Sequence, residues 1–294
     1  MRPCASNLSD VVPVVRTGGT HPAMIPQLLV RASAAARRVG PWSSVAGMPL
    51  FTQAYYCYKR LCEGRQRALI GRLVRRGSLA VDVGANIGYF TIVMAEAAGE
   101  EGAVLAFEPD SENVRLLRAA VARTGLSNIQ VIPAALSNRA GRAPLYVNPD
   151  HPGDHRIYPV GSHVKGQEVE IWSLDEYPVS QQFELSLVKI DVQGAESRVL
   201  SGMEKTLSAH PSAHVLLEFD PTLLRQADSD ADTLVALTGD LGFHPFLLTK
   251  RGEVHASSWS DIKGVARDRY IDVLLSRQSV AALNQADGRS VYST

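Results

Sequence analysis

The sequence LAVDVGANIG occupies Leu79 to Gly88, and AFEPD follows at Ala106 to Asp110. The first stretch reads as a buried strand that runs into a glycine turn and opens a helix. Gly84 and Gly88 carry no side chain at the points where the chain must turn sharply and where a ligand would approach the backbone. Together the two stretches predict a nucleoside-binding crevice at the end of a βαβ unit.

The second strand of this unit ends at Glu108. An acidic residue at that position can accept hydrogen bonds from both ribose hydroxyls, so a ribose-containing cofactor is expected. A dinucleotide fold places glycines in G-x-G-x-x-G to make room for a pyrophosphate, but Asn86 and Tyr89 occupy the second and third glycine positions here. The pattern D-x-G-x-x-x-G from Asp82 instead resembles the class I S-adenosylmethionine-dependent methyltransferases.

The composition is that of a globular protein. Of 294 residues, 45% are hydrophobic and 20% are charged, which suits one large α/β domain with additions. The formal net charge is +0, so no overall field attracts a polyanion, and we expect no nucleic-acid partner. No apolar run or leader pattern indicates a membrane partner, and Cys4, Cys57 and Cys62 are interpreted as reduced thiols of a cytoplasmic protein.

The chain divides into four predicted parts. Residues 1–45 form a flexible N-terminal arm, with one short helix near 28–39. Residues 46–76 form a helical segment whose arginines suit a solvated helix face better than a binding surface. The methyltransferase domain spans 77–280, and 281–294 form a C-terminal tail. If the chain forms a homodimer, we expect it to do so through the N-terminal helices.

The core alternates strand and helix as a parallel sheet does. We predict an α/β fold with a seven-stranded class I methyltransferase sheet, mostly parallel with the last strand antiparallel, helices on both faces, and a small β insertion at 140–178 over the site. Strands are predicted at 79–83, 103–107, 129–133, 185–190, 214–219, 243–249 and 270–276, with strand-like pieces at 145–147 and 169–174. Helices are predicted near 88–98, 111–124, 195–209 and 231–241.

Three further motifs carry side chains suited to chemistry. VKIDVQGAE places Asp191 at the tip of the fourth strand, close to where a transferable methyl would lie. LLEFDP places Glu218 and Asp220 at the tip of the neighbouring strand. The insertion contains Gly153-Asp154-His155-Arg156, preceded by His151. The predicted substrate-binding residues are Asp154, His155, Arg156 and Glu218.

The succession DVGANIG, AFEPD, AALSN, SLDEY, VKIDVQGAE and LLEFDP is similar to the FkbM family of S-adenosylmethionine-dependent methyltransferases over roughly residues 77–250. Gln193 stands where a common variant of the family has Glu. The resemblance implies S-adenosylmethionine as cofactor and O-methylation of a hydroxyl on a small molecule, such as a sugar, a macrolide or an antibiotic intermediate. The cofactor-binding residues it implies are Asp82, Gly84, Asn86, Gly88, Glu108, Pro109, Ala135, Leu136 and Asp191.

A hydroxyl acceptor needs a base or a metal to remove its proton. The predicted catalytic residues are His155, as a neutral imidazole base, and Asp191. His155 could instead hold the insertion together by hydrogen bonds. Alternatively, Asp191, Glu218 or Asp220, with Asp154 or His155, could bind Mg²⁺. We favour the metal-free route and expect no metal ligand, because Gln193 and the lack of tight Asp/Glu/His spacing provide poorly for a cation.

Three other functions compete with O-methylation. A nicotinamide-dependent oxidoreductase is favoured by Glu108 but disfavoured by Asn86 and Tyr89. A nucleic-acid base methyltransferase is disfavoured because the fourth strand ends in DVQG rather than in an Asn/Asp-Pro-Pro-aromatic element that grips a flipped base. A non-catalytic cofactor-binding module is disfavoured by the intact DVGANIG motif, Glu108 and Asp191.

Overall fold

A computed structural model of the protein describes residues 48–148, 154–161, 164–179, 182–249, 252–267 and 270–285. The predicted N-terminal arm with its short helix, together with His151 and Gly153, lies outside the described residues.

The described chain contains two sheets and the helices that pack around them. The strands are β1 (Leu79–Val83), β2 (Ala103–Phe107), β3 (Ile129–Ile132), β4 (Ala134–Leu136), β5 (Gly141–Val147), β6 (Val164–Trp172), β7 (Leu185–Ile190), β8 (His214–Phe219), β9 (His244–Leu248), β10 (Val254–Ala256) and β11 (Ile271–Ser276). The helices are α1 (Met48–Cys62), α2 (Gly64–Leu73), α3 (Tyr89–Ala98), α4 (Ser111–Thr124), α5 (Glu196–Ser201), α6 (Glu204–Ala209), α7 (Pro221–Gln226), α8 (Ala231–Asp240), α9 (Trp259–Val265) and α10 (Val280–Gln285).

The larger sheet has the strand order β10-β9-β11-β8-β7-β1-β2-β3. Strands β3, β2, β1, β7 and β8 run parallel, whereas β11 pairs antiparallel with both β8 and β9. The predicted mostly parallel sheet with an antiparallel last strand is therefore confirmed. The sheet has eight strands rather than seven, because the short β10 pairs with the edge strand β9. The strand order reverses between β1 and β7, and ligands of open α/β sheets bind at such a switch point.

The central strands are buried on both faces, which explains their continuous apolar sequences. Every residue of β1 and of β7 is buried. Val81 and Val188 belong to the apolar core on one face of the sheet, and Ala80 and Leu187 belong to the core on the other face. Within the described residues, no helix combines the length and the apolar character needed to cross a bilayer.

The smaller sheet, in the order β4-β6-β5, contains the predicted insertion. Its strands are longer than predicted, and the chain enters it at Pro133. Proline has no N–H to donate to a ladder, so β3 stops at Ile132 and the chain continues in the other sheet as β4. The helix predicted at 195–209 is two helices, α5 and α6, because the chain is interrupted at Gly202.

Gly202 provides a test of how closely the junction of α5 and α6 packs against the chain that follows β4 of the smaller sheet. A Cβ atom at this position would lie 2.0 Å from the main-chain oxygen of Ser137. We expect Gly202→Ala to lower the free energy of unfolding by about 1–3 kcal/mol, because backbone must move to relieve the overlap. A Cβ at Gly239, in α8, would meet nothing within 4 Å. Gly239→Ala is the matched control and should stabilise by about 0.5–1 kcal/mol. Urea denaturation of both variants measures the difference, and equal effects of the two substitutions would contradict the close packing.

Candidate active site

A cavity of about 290 Å³ opens at the carboxyl ends of the central strands, on both sides of the switch point between β1 and β7. Its size lies near the lower end of the range for small-molecule sites, roughly 300–1,000 Å³. Its walls come from the glycine loop after β1, the ends of β2, β7 and β8, the insertion, and the N-terminal helices α1 and α2. Residues that are far apart in sequence therefore share one site.

The glycine loop is packed directly against the loop that follows β7. A Cβ atom at Gly84 would lie 2.0 Å from the main-chain oxygen of Asp191, and Gly84 has a φ of 79°. The Asp191 N–H donates to the Val83 oxygen at 3.0 Å. Gly88 does not line the cavity; it begins α3, and a Cβ there would lie 2.3 Å from Leu117 Cδ1. Both glycines are thus required by packing, and only Gly84 also faces the cavity.

Glu108 is buried at the β2 end of the cavity. Its Oε2 accepts from the Asn86 N–H at 2.8 Å, and its Oε1 accepts from the Asp110 N–H at 2.9 Å. The Asn113 side-chain amide adds a longer bond of 3.4 Å. Burial raises the pKa of this carboxyl to about 7, although the hydrogen bonds from Asp110 and Asn86 oppose the rise. The carboxyl group is thereby held rigidly where a ribose is expected.

An ionic group of Asp82, Lys189 and Asp191 lies at the centre of the cavity. Lys189 Nζ is 3.1 Å from Asp191 Oδ2, and Asp82 and Lys189 are register partners in neighbouring strands. Burial would raise the pKa of Asp191, but the charges of Lys189 and Lys59 outweigh burial and lower it. Burial would lower the pKa of Lys189, and the two carboxylates raise it instead. At neutral pH, Asp191 is therefore an anion and Lys189 a cation.

Asp82 carries an unsatisfied oxygen. Its Oδ2 accepts from the Thr91 hydroxyl at 2.6 Å, whereas its buried Oδ1 has no hydrogen-bond partner among the described residues. The side chain is 1% exposed and lines the cavity. Burial of an acceptor without a hydrogen-bond partner costs free energy, so we expect a bound ligand to place a donor group at this oxygen.

The end of the cavity farthest from Glu108, which we call the β11 lobe, is formed by five side chains. Glu218 and Asp272 are direct cross-strand partners of β8 and β11. Gln66 Nε2 donates to Asp272 Oδ2 at 2.5 Å, which joins α2 to the sheet. Burial and the nearby Glu63 raise the pKa of Asp272 to about 6. The β11 lobe consists of Glu63, Gln66, Glu218, Tyr270 and Asp272.

The helices before the first strand supply a wall that sequence reasoning missed. The Tyr56 hydroxyl donates to the Ile87 main-chain oxygen at 2.7 Å. The centroid of the Tyr56 ring lies 5.6 Å from the centroid of the Tyr89 ring. The helical spacing of apolar residues predicts the helices of this segment, but no local sequence pattern shows which of their side chains face a site. The side chains of this segment that line the cavity are Tyr55, Lys59, Cys62, Glu63 and Gln66.

The insertion contributes His155 to the cavity, on the side of β2. Its Nε2 lies 4.0 Å from Asp110 Oδ2, and its Nδ1 accepts from the Asn148 N–H at 3.4 Å. Asp154 and Arg156 do not line the cavity. Arg156 is 5% exposed and donates to Asp154 at 2.8 Å and to Gln226 at 2.6 Å, so it joins the insertion to α7.

The structure brings most of the predicted site residues together. Asp220 is separate from them, because its carboxylate caps α7 by accepting from the Thr222 N–H at 2.9 Å. Across the described ranges, no group of three or more His, Cys, Asp or Glu side chains is arranged to hold a metal ion. The predicted residues that line the cavity are Asp82, Gly84, Asn86, Glu108, Pro109, Ala135, Leu136, His155, Asp191 and Glu218; Gly88, Asp154 and Arg156 do not line it.

Comparison with known proteins identifies the family. The model of the FkbM methyltransferase domain matches residues 82–245, which is more than half of the chain. The chain belongs to the FkbM methyltransferase family. The curated methyltransferase sdnD from Sordaria araneosa is 29% identical over 156 residues, which cover 42% of this chain and 60% of that protein. The matched region therefore spans less than two thirds of this relative.

Solved structures with a similar fold are more distant. A crystal structure of the methyltransferase FkbM from Methylobacillus flagellatus KT is 17% identical and covers 68% of this chain and 44% of its own, with a TM-score of 0.42. Aeropyrum pernix fibrillarin, solved with natively bound S-adenosyl-L-methionine, is 11% identical and covers 69% of this chain and 68% of its own, with a TM-score of 0.40.

The cofactor of this FkbM methyltransferase is S-adenosylmethionine, and the residues of the cavity fit its chemistry. Glu108 is a buried carboxyl whose oxygens are acceptors of the kind that ribose hydroxyls require. The unpartnered Asp82 Oδ1 and the anionic Asp191 are acceptors suited to the ammonium of the amino-acid part. Tyr89 and Asn86 leave no glycine-lined space for a pyrophosphate.

The pKa of Glu108 predicts how cofactor binding depends on pH. Because the ionised carboxylate is the stronger acceptor, we expect the affinity for S-adenosylhomocysteine to fall as pH drops through about 7. Glu108→Gln should weaken binding at least about tenfold and remove this part of the pH dependence. Calorimetric titrations across this range measure it. His155→Gln is the control, because His155 lies at the same end of the cavity as Glu108; loss of the dependence in that variant alone would show that Glu108 is not its source.

The hydrogen bond from the Tyr56 hydroxyl to the Ile87 oxygen predicts that α1 supports the glycine loop. Tyr56→Phe removes the hydroxyl that donates to Ile87 but retains the ring packing. A hydrogen bond contributes about 0.5–1.5 kcal/mol, so we expect the dissociation constant for S-adenosylhomocysteine to rise about three- to tenfold. Tyr146→Phe, which lies in β5 outside the cavity, should leave it unchanged. Equal affinities of both variants and the wild type would mean that α1 does not support the loop.

Proposed function

We propose that the protein transfers the methyl group of S-adenosylmethionine to a hydroxyl oxygen of a small molecule, such as a sugar or a secondary metabolite of the macrolide or antibiotic type. The observation that carries this proposal is the β11 lobe, whose carboxyl groups can accept a proton and whose Asp272 lies four strand spacings from the strand that ends at Glu108. The strand spacing of about 4.8 Å gives about 19 Å between the two strand ends. A nucleoside at one end leaves the other end for an acceptor.

Methyl transfer to a hydroxyl places two demands on the chain: alignment of the oxygen and removal of its proton. When bound, the cofactor supplies a methyl group that its sulfonium sulfur has activated. The ring of Phe90 provides an apolar wall, with Lys189 Nζ and Lys59 Nζ at 4.9 and 5.8 Å from its centroid. These two cations favour partial negative charge on an oxygen that is losing its proton.

The walls of the cavity support a small acceptor with several polar groups. The helices α1 and α2 form one side of the cavity, so a long polymer would have to displace them. Gln66, Tyr270, Glu218 and Asp272 offer hydrogen-bonding groups at short intervals, which suits a molecule that carries more than one hydroxyl. The formal net charge of +0 gives no support to a nucleic-acid acceptor.

The metal-free route is part of this proposal. Of the predicted metal ligands, Asp220 caps α7 and Asp154 bonds to Arg156. The Gln193 amide donates to Asp191 at 2.9 Å and to Glu218 at 3.5 Å, so an amide rather than a cation lies between the two remaining carboxylates. Proton removal is therefore assigned to a side chain of the cavity. Retention of activity in the presence of a chelator is the expected result.

The experiment is transfer of a radiolabelled methyl group from S-adenosylmethionine to three hydroxyl acceptors: catechol, methyl glucoside and a macrolide lactone. We expect labelled methyl ether from at least one of them, and Glu108→Ala should abolish it through loss of cofactor binding. Duplex DNA and bulk RNA serve as competing acceptors, and NADH binding tests the oxidoreductase alternative. Label transferred only to nucleic acid, or to no acceptor by a protein that binds the cofactor, would overturn the proposal.

A further inference from the structure

We propose that Asp272 in β11 is the general base that takes the proton from the acceptor hydroxyl, and that Gln66 in α2 positions its carboxylate. This inference rests on the proposed O-methyl transfer and identifies its missing proton acceptor. It replaces His155 in that role.

The position of Asp272 gives it access to an acceptor. Its side chain is partly exposed and lines the cavity, and its register partner Glu218 lies beside it on β8. Gln66 holds one carboxylate oxygen at 2.5 Å, so the group has a fixed orientation. A base must be both within reach of the acceptor and held in one orientation, and the described contacts provide both conditions.

The charges around Asp272 suit a base at neutral pH. Burial and Glu63 raise its pKa to about 6, and Lys189 and the hydrogen bond from Gln66 limit the rise. The groups that face it come from three parts of the chain: Glu63 and Gln66 from the N-terminal helical segment, Lys189 in β7 with Asp191 directly after it, and Glu218 in β8 with Tyr270 directly before β11. A carboxyl with such a pKa is ionised above about pH 6 and still retains appreciable basicity.

Five other titratable groups of the cavity are less suitable. Lys59 and Lys189 have raised pKa values and are cations, and Tyr270 has a raised pKa and keeps its proton. The pKa of Asp191 is lowered, so it is a weak base, and Lys189 already pairs with it. His155 lies beside Asp110, at the β2 end with Glu108.

The proposed step moves one proton to Asp272 and one methyl group to the acceptor oxygen. The O–H bond of the acceptor breaks, and its proton moves to a carboxylate oxygen of Asp272. The oxygen uses an electron pair to form the new bond to the methyl carbon, while the pair of the breaking carbon–sulfur bond remains on sulfur. The products are a methyl ether, a neutral thioether and the protonated carboxyl of Asp272, which returns its proton to water.

The test compares Asp272→Asn with the wild type, using whichever of catechol, methyl glucoside and macrolide lactone the wild type methylates. We expect kcat to fall by roughly 10²–10⁴ with the affinity for S-adenosylhomocysteine within about twofold of the wild type. At saturating S-adenosylmethionine, the rise of kcat/KM for the acceptor with pH through about 6 in the wild type should disappear in the variant. Asp240→Asn makes the same chemical change at an exposed position and should have no effect.

A second measurement does not depend on turnover. Infrared difference spectra of wild type minus Asp272→Asn, both bound to S-adenosylhomocysteine, report the protonation of this one carboxyl as pH is raised. We expect its midpoint to match that of kcat/KM, and Gln66→Leu to move both midpoints upward, because an amide donor that favours the charged form is lost.

The possible outcomes separate this inference from the proposed function. Wild-type protein that binds the cofactor but methylates no hydroxyl acceptor overturns the proposed function and, with it, the role of Asp272. An active Asp272→Asn enzyme with an unchanged pH profile overturns only the role of Asp272. Loss of the pH dependence in Glu218→Gln or His155→Gln, rather than in Asp272→Asn, would transfer the role to that residue and falsify the assignment.

Discussion

The packing of Gly84 against the main-chain oxygen of Asp191 is the constraint on which the site depends. These residues end the two strands between which the sheet order reverses, and a Cβ at position 84 would lie 2.0 Å from that oxygen. Only glycine permits so close an approach with a φ of 79°. The cavity opens at this switch point, with Glu108 on the side of β2 and Glu218 on the side of β8.

Different partners give chemically similar, buried carboxyl groups different properties along this cavity. Asp191 has Lys189 at 3.1 Å, so its pKa is lowered although it is buried. Glu108 has main-chain donors but no cation among the groups that shift its pKa, and its pKa rises to about 7. Asp272 has a neutral amide as hydrogen-bond partner, and its pKa rises to about 6. One cavity thus contains a permanent anion and two carboxyls that titrate near neutrality, as acid–base chemistry requires.

The N-terminal helices are part of the site because of where they pack. α2 contributes buried Leu69 and Ile70 to the core on the face of the sheet that also contains α3. That packing brings Gln66 to Asp272, and Tyr56 reaches the glycine loop from α1. The segment that precedes the first strand therefore closes a cavity whose floor is formed by residues much later in the chain.

The sequence alone determined the features that depend on short-range patterns. Apolar runs bounded by glycines predicted the central strands, the spacing of Asp82, Gly84 and Glu108 predicted the cofactor crevice, and the succession of motifs predicted the family. Such patterns can be recognised in a sequence because neighbouring residues determine the alternation of side chains along a strand, the conformation of a turn and the chemistry of a loop. Most predicted cofactor-binding residues accordingly line one cavity.

Only the tertiary structure decided which distant residues meet. Gln66 and Asp272 are separated by 206 residues and are joined only because β11 inserts antiparallel beside β8 and α2 packs over the strand ends. Likewise His155 faces the cavity, whereas the neighbouring Arg156 is buried and donates to Gln226. The local sequence does not reveal this difference between two adjacent residues. Long-range contacts follow from strand register and helix packing, and these are settled by burial of the whole core rather than by any local pattern.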